Sequence, residues 1–364
     1  GEIAPHAAEW DKTHSFPRQA LRGLGELGCF GLTVAPQWEG AGFDYVTLAA
    51  VIEEIAAGDG ALSTIISVIN SVGCGPIERF GNDWQKDTFL RPIARGEWIS
   101  AFCLTEPDAG SDAAALRSRA VRDGDDYVIN GVKQFITNGK HADVAIVFAV
   151  TDPAAGKKGI SAFLVPTTAA GYTVAKVEDK MGQHASDTCQ IVFDNVRVPA
   201  SHLLGKEGAG FTMQMMQFQE ERMWACANAV GGLENVIQQT IDYTKERTTF
   251  GQPLINNQYV HFRFAELMTE VEALKALTYQ ACEQHIAGEN VTMMASMAKL
   301  KAGRLTREVA DSCLQYWGGN GFMWENPASQ LYRDGRLGSI GGGADEIMLG
   351  IICKLMDILP KKQK

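Results

Sequence analysis

Up to about residue 98 the apolar positions recur at helical spacing. Leu21, Leu24 and Leu27, followed by Gly28, form one set, and Val46 to Ile55 forms another that carries the pair Glu53-Glu54 near its end. From Ile99 to about Leu204 the texture changes to short apolar runs broken by turn residues, which reads as strands. Tyr127-Val128-Ile129 and the run Val132 to Thr137 flank Asn130-Gly131. That pattern predicts a hairpin, because Asn-Gly supplies the two positive-φ positions of a tight turn. Val144 to Val150, Ile160 to Val165 and Gln190 to Phe193 are further strand candidates.

After the glycine-rich joint Gly205-Lys206-Glu207-Gly208-Ala209-Gly210, long amphipathic helices return. One stripe is Leu233, Val236, Ile237, Thr240 and Ile241; another is Phe264, Leu267, Met268, Val271 and Leu274. A third, Ile347, Ile351, Ile352, Leu355 and Leu359, stops before Pro360, which a helix cannot carry forward. Helices, then strands, then a four-helix-like block predict an α+β fold, mainly α with a central β domain, divided at about 1–98, 99–205 and 206–364. Without βαβ alternation there is no expectation of a parallel nucleotide-binding sheet.

Composition narrows the function classes. With 33 basic and 43 acidic residues the formal net charge is −10, which argues against non-specific binding to nucleic acid or to an anionic membrane. The eight cysteines are scattered singly, with no CxxC pair and no zinc-type spacing. They predict buried thiols in a reducing compartment, with neither a disulfide frame nor a metal centre. No apolar run reads as long enough to cross a bilayer, and Gly1 opens no signal peptide; a targeting segment upstream stays open.

Four stretches hold side chains that a ligand could use. Phe102 to Asp112 runs from a strand into a turn rich in hydroxyls and glycine; it reads as donors for a polar ligand edge or as an ordinary capped loop. Gln134 to Gly139 places Phe135 and Thr137 at a strand end, as a cofactor platform or as plain packing. Arg247, in Glu246 to Pro253, could pair with a diphosphate or cap the preceding helix against its dipole. Gln315 to Phe322 contains Gly318-Gly319, where a backbone can approach a ligand closely.

In their order, TEPDAGSD, NGVKQFITNG, RTTFGQP, QYWGGNGF and YRDGRL, followed by a glycine-rich loop and a terminal helix, resemble the acyl-CoA dehydrogenase family over almost the whole chain. The resemblance implies an N-terminal helical domain, a β-barrel-like domain and a C-terminal four-helix bundle. It also implies FAD held between the last two, partly across a subunit interface, in a homotetramer. Phe102, Leu104, Thr105 and Ser111 would then line the flavin, and Phe135 and Thr137 would cover its other flank. Phe135 replaces the Trp common there, which bears on stacking and on the approach of an electron-transfer flavoprotein. Arg247 and Phe250 would touch the FAD diphosphate and adenosine, with Gln315, Gly318 and Gly319 reaching the same portion from the neighbouring subunit; Ser186 would meet the pantetheine of an acyl-CoA.

Many family members read Glu-Gly-Thr in the loop before the last helix, and that Glu removes the α-proton of the acyl thioester. Here the triplet is Gly342-Gly343-Ala344, so the usual base is missing, while the Gly342 N–H can still polarise the thioester carbonyl. Ala344 lacks the hydroxyl that would help to retain FAD. Asp345 and Glu346 stand at a helix start, where acids favour the dipole. Isovaleryl-CoA and long-chain members carry the base instead on the first long helix after the β domain, immediately before an Arg. Glu221-Arg222 occupies that place, which makes Glu221 the candidate base and Arg222 its electrostatic, substrate-side neighbour. Taken locally, Glu220-Glu221-Arg222 would read as a solvated charged turn; Glu220 points about 100° away from Glu221 around a helix.

This resemblance, with a terminal helix similar to that of citronellyl-CoA dehydrogenases, implies FAD-dependent α,β-dehydrogenation of a branched or medium-to-long acyl-CoA. Reduced FAD would pass its electrons to an electron-transfer flavoprotein, in a mitochondrial matrix or a bacterial cytoplasm. An acyl-CoA oxidase-like enzyme and a non-catalytic acyl-CoA- and FAD-binding subunit are the alternatives.

Overall fold

The computed structural model describes residues 2–360. Helices α1 (Ala4–Thr13), α2 (Arg18–Glu26), α3 (Tyr45–Gly58) and α4 (Gly60–Val68) come first. A π-helical turn, Ile69–Cys74, then leads into α5 (Gly75–Phe80), α6 (Asp83–Gln85) and α7 (Arg91–Ala94). Each start has a local cause where an acid stands before it: Asp44 accepts from the Thr47 N–H and Asp59 from the Leu62 N–H, satisfying donors that a first turn leaves open. Leu48, Ile52 and Ile55 of α3 pack with Leu62, Ile65 and Ile66 of α4 in one core. The first sequence stripe ends early, since Leu27 is exposed and Gly28 turns left-handed at φ 77°.

One segment reaches membrane-span length by mean hydropathy, although polar residues interrupt it. The continuous helical run Gly60–Phe80 is 21 residues long with a mean hydropathy of 1.4, enough by length and composition to cross a bilayer. However, 78% of that apolar window is buried, so the protein's own core takes up its surface.

The central domain is an eight-stranded sheet: β1 (Ser100–Cys103), β2 (Arg119–Asp123), β3 (Asp126–Thr137), β4 (Val144–Val150), β5 (Ile160–Pro166), β6 (Tyr172–Val177), β7 (Thr188–Pro199) and β8 (Leu203–Leu204). The order is β6-β7-β3-β2-β4-β5-β8, with β1 added in parallel on β4. The expected Asn130-Gly131 hairpin is not a turn. Both residues lie inside β3, where the register against β7 slips between Ile129 and Gly131. The reason is tertiary: the Asn130 carboxamide bonds to Asn195, and a Cβ on Gly131 would come within 2.2 Å of the Ser118 hydroxyl. The real turn is Gly124-Asp125, between β2 and β3.

The C-terminal part contains α8 (Gly210–Glu246), the short hairpin β9 (Thr248–Thr249) and β10 (Gln252–Pro253), α9 (Gln258–Ile286), α10 (Thr292–Trp317), α11 (Pro327–Gly335) and α12 (Asp345–Leu355). Leu233, Val236 and Ile237 of α8 pack with Phe264, Leu267, Val271 and Leu274 of α9 and with Leu305 and Val309 of α10. Helix α8 also lies against α3 and α4, so it ties the bundle to the N-terminal helices. The last helix stops at Leu355 rather than running on to Leu359, because Asp357 takes φ 55°; Leu355 and Leu359 stay exposed. Seven of the eight cysteines are buried, Cys353 is half-buried and all are free; no metal-binding cluster occurs among the described residues.

Candidate active site

Helix α8 presents Glu221 to the loop that precedes α12. That loop follows a 3-10 turn, Arg336–Ser339, and passes through Gly342 at φ 62° and Gly343 at φ 97°, backbone that only glycine adopts without strain. A Cβ built on Gly342 would lie 3.6 Å from Glu221 Oε1. The space a loop side chain would claim is therefore the space the helix-borne carboxylate occupies. No acceptor takes the Gly342 N–H among the described residues, so this donor stands free beside the carboxylate.

Glu221 is half-buried. Burial pushes its carboxyl above the ordinary Glu value, against the opposing pull of the Arg222 and Lys299 cations. Arg222 departs from its expected substrate-side place. It is buried between helices, Nη1 donates to the Ser296 hydroxyl of α10 at 3.4 Å, and Nε has no partner. The physical reason is its place about 100° around α8 from Glu221, on the bundle side.

Glu220 is no solvated charge. It is 1% exposed, ion-paired with Arg79, 3.7 Å from His285, and accepts from Gln217 Nε2 at 2.8 Å. These partners sit far away in sequence, which is why a local reading missed the cluster. Asp345 turns to α10, 3.3 Å from Arg307 and 3.7 Å from Arg304, while Glu346 is exposed in the same first helical turn; neither competes with Glu221.

On the β domain, the Gln134 N–H donates to the Thr105 carbonyl at 2.8 Å, so the strand end carrying Phe135 and Thr137 lies against the Phe102–Thr105 segment. Beneath them Lys133, fully buried, donates to the Leu104 carbonyl at 3.0 Å and pairs with Glu106 at 2.8 Å. This clamp escaped the sequence reading, although a charged residue in a strand flanked by apolar runs was its signal. Phe135 has φ 58° and is 64% exposed, Ser111 is exposed, and Leu104 is buried. Ser186, expected at the pantetheine, is buried: Lys180 Nζ draws in the carbonyls of Gln183 and Ser186, and the loop closes over the serine.

The remaining candidates gather elsewhere. Arg247 and Phe250 follow the C-terminal end of α8, roughly 39 Å beyond Glu221 at about 1.5 Å per residue. Tyr243 near that end stacks on Trp317 at 4.0 Å, which brings Gln315, Gly318 and Gly319 to the same place. Arg247 and Phe250 thus stand with Gln315, Gly318 and Gly319 at one end of α8 in the same chain, where the sequence reading had divided them between two subunits.

Models of the acyl-CoA dehydrogenase N-terminal, middle and C-terminal domains match residues 1–97, 101–196 and 208–356. The chain belongs to the acyl-CoA dehydrogenase family. An acyl-CoA dehydrogenase of Bacillus subtilis (strain 168) is 41% identical over 98% of this chain and 94% of its own length. The mitochondrial short-chain specific acyl-CoA dehydrogenase of Rattus norvegicus is 37% identical over 96% and 85%. The solved butyryl-CoA dehydrogenase of Megasphaera elsdenii superposes with a TM-score of 0.95 at 35% identity, over 98% of this chain and 94% of that one.

As an acyl-CoA dehydrogenase the protein is an FAD-dependent flavoprotein oxidoreductase. Its residues fit that cofactor. Phe135 projects a mostly uncovered ring from the strand end that lies against the Phe102–Thr105 segment, with Thr105 and Thr137 half-buried in those two segments, a place for a flat aromatic body. At the other end Phe250 is fully exposed, and a Cβ on Gly318 or Gly319 would meet nothing, so backbone can lie directly on a nucleotide.

Proposed function

We propose that Glu221 is the base of this acyl-CoA dehydrogenase and that the Gly342 N–H polarises the thioester carbonyl. The observation that carries the reading is the 3.6 Å between Glu221 Oε1 and the place of a Gly342 Cβ. A hydrogen bond from Gly342 to the carbonyl oxygen makes the α-proton acidic, and Glu221 takes that proton as the Cα–Cβ double bond forms. Bound FAD supplies the acceptor for the β-hydrogen, which leaves as hydride. Substrate binding would displace water from around Glu221 and raise its carboxyl further, closer to the acidity of the proton it receives. Phe102, Leu104, Thr105, Ser111, Phe135 and Thr137 would hold the flavin ring. Arg247, Phe250, Gln315, Gly318 and Gly319 would hold the diphosphate and adenosine of a neighbouring subunit's FAD in a homotetramer, and an electron-transfer flavoprotein would collect the electrons. A mitochondrial matrix or a bacterial cytoplasm would house such an enzyme.

For the acyl chain we propose a branched or medium-to-long group. Support comes from the helix-borne base and from the α8 face beyond it: Ala225, one turn on, is exposed, and Asn228 bonds to Thr64 of α4 at 3.3 Å. About 10 Å of helix separates Glu221 from Asn228. A short chain is the second reading: two of the relatives reported above are named short-chain and butyryl-CoA dehydrogenases, not the isovaleryl-, long-chain or citronellyl-CoA types that the resemblance suggested. Anaerobic titration with a panel of straight and branched acyl-CoAs, read by bleaching of the visible flavin band, separates them. Bleaching by butyryl-CoA alone would overturn the chain assignment, and binding without bleaching by any member would overturn dehydrogenation.

A further inference from the structure

Lys299 of α10 is 2% exposed and carries no carboxylate ion pair among the described residues, an expensive way to keep a cation. Its Nζ donates instead to the carbonyl of Gly343, in the glycine loop. One turn further along α10, Gly303 lies against the Gly338 backbone, where an added Cβ would come within 2.6 Å of the carbonyl oxygen. Beyond the loop, Asp345 is tied to Arg304 and Arg307 of the same helix. Helix α10 thus holds both flanks of Gly341–Gly343, and Lys299 holds the carbonyl of its last glycine, where side-chain-free backbone has much freedom to lose. The groups facing Lys299 are Asp345 of α12 and Glu221, Arg222 and Cys226 of α8; those facing Glu221 are Arg222 and Lys299.

We propose that Lys299 is a positioning residue for the dehydrogenation: by holding the Gly343 carbonyl it fixes the Gly342 N–H opposite Glu221, and its ammonium sets a fixed positive charge behind that carboxylate. The inference rests on Glu221 being the base.

The test compares the holoenzyme with Lys299→Met and Lys299→Gln, recording FAD content, thermal midpoint, and kcat and kcat/KM against pH. Lys299→Met is expected to lower kcat by roughly 100-fold through loss of loop geometry. It should also move the acid limb of kcat/KM upward by roughly one pH unit, because an opposing charge has left Glu221. Lys299→Gln keeps a donor for the Gly343 carbonyl, so it is expected to recover roughly tenfold in kcat while retaining the shifted limb. An acid limb that stays at the wild-type position in folded, FAD-loaded variants would overturn the proposal, as would Lys299→Gln performing no better than Lys299→Met. Should Lys299→Met fail to fold, the limb of Lys299→Gln decides alone. Glu221→Gln is run in parallel: full turnover there removes the base assignment itself, whereas its loss beside an unmoved Lys299 limb removes only this inference.

Discussion

Around Glu221, part-way along α8, stand the Gly342 backbone, on which a Cβ would lie 3.6 Å from the carboxylate, and the buried cations of Arg222 and Lys299, whose pull opposes the effect of burial on that carboxyl. At the C-terminal end of the same helix, Arg247 and Phe250 stand in the open, with Gly318 and Gly319 facing empty space. The first place is finished by folding; the second is a surface for the neighbouring subunit's cofactor, as proposed above. The difference follows from the ligand each has to meet. Proton abstraction needs a desolvated carboxylate, which interior packing supplies. A long dinucleotide needs contact along its length, and one rigid helix cannot bring both of its own ends to one such molecule.

Three experiments press on that contrast. Glu221→Gln should have the largest effect, lowering kcat by roughly 10³-fold while FAD stays bound, since it removes proton transfer and leaves the remote surface intact. Steady-state kinetics and the flavin spectrum check both halves. In the wild type, Glu221 must be ionised to act and its carboxyl is raised by burial, so kcat/KM should fall as pH drops through that raised value; the Gln variant should lose this limb.

Gly342→Glu comes next. It forces φ 62° on a residue with a Cβ and adds a like charge beside Glu221, so kcat/KM should fall roughly 10- to 100-fold and the acid limb should move up. Undiminished activity would show that the two positions do not share one space.

Arg247→Ala is expected to be mildest in turnover. With FAD in excess, kcat should stay within roughly twofold, while FAD retention after gel filtration drops roughly tenfold and the oligomer loosens. If turnover collapsed with FAD in excess, the separation of the two places would be wrong.

Much of this was legible before folding. Periodicity located α3, α8 and α9 because burial on one face repeats every helical turn, whereas β4 and β5 showed as short apolar runs because both of their faces are buried. The family resemblance marked Gly342-Gly343-Ala344 as lacking the usual side chain and Glu221-Arg222 as the candidate replacement proposed above. Asn130-Gly131 misled, since the same dipeptide serves a turn or a bulge and only the close approach of Ser118 decides between them. Glu220 misled as well, because its partners Arg79 and His285 are brought from other helices.

What the sequence by itself determined was the kind of residue at each place: an acid on a helix, a glycine in a loop, an apolar stripe every turn. Only the tertiary structure decided that the acid and the glycine meet, that Arg222 turns into the bundle, that Ser186 is covered, and that Lys299 reaches the Gly343 carbonyl. Local order depends on neighbours three or four positions away, which the chain states outright. Contacts between elements depend on how rigid helices cross, and that is fixed only when their buried faces have packed together.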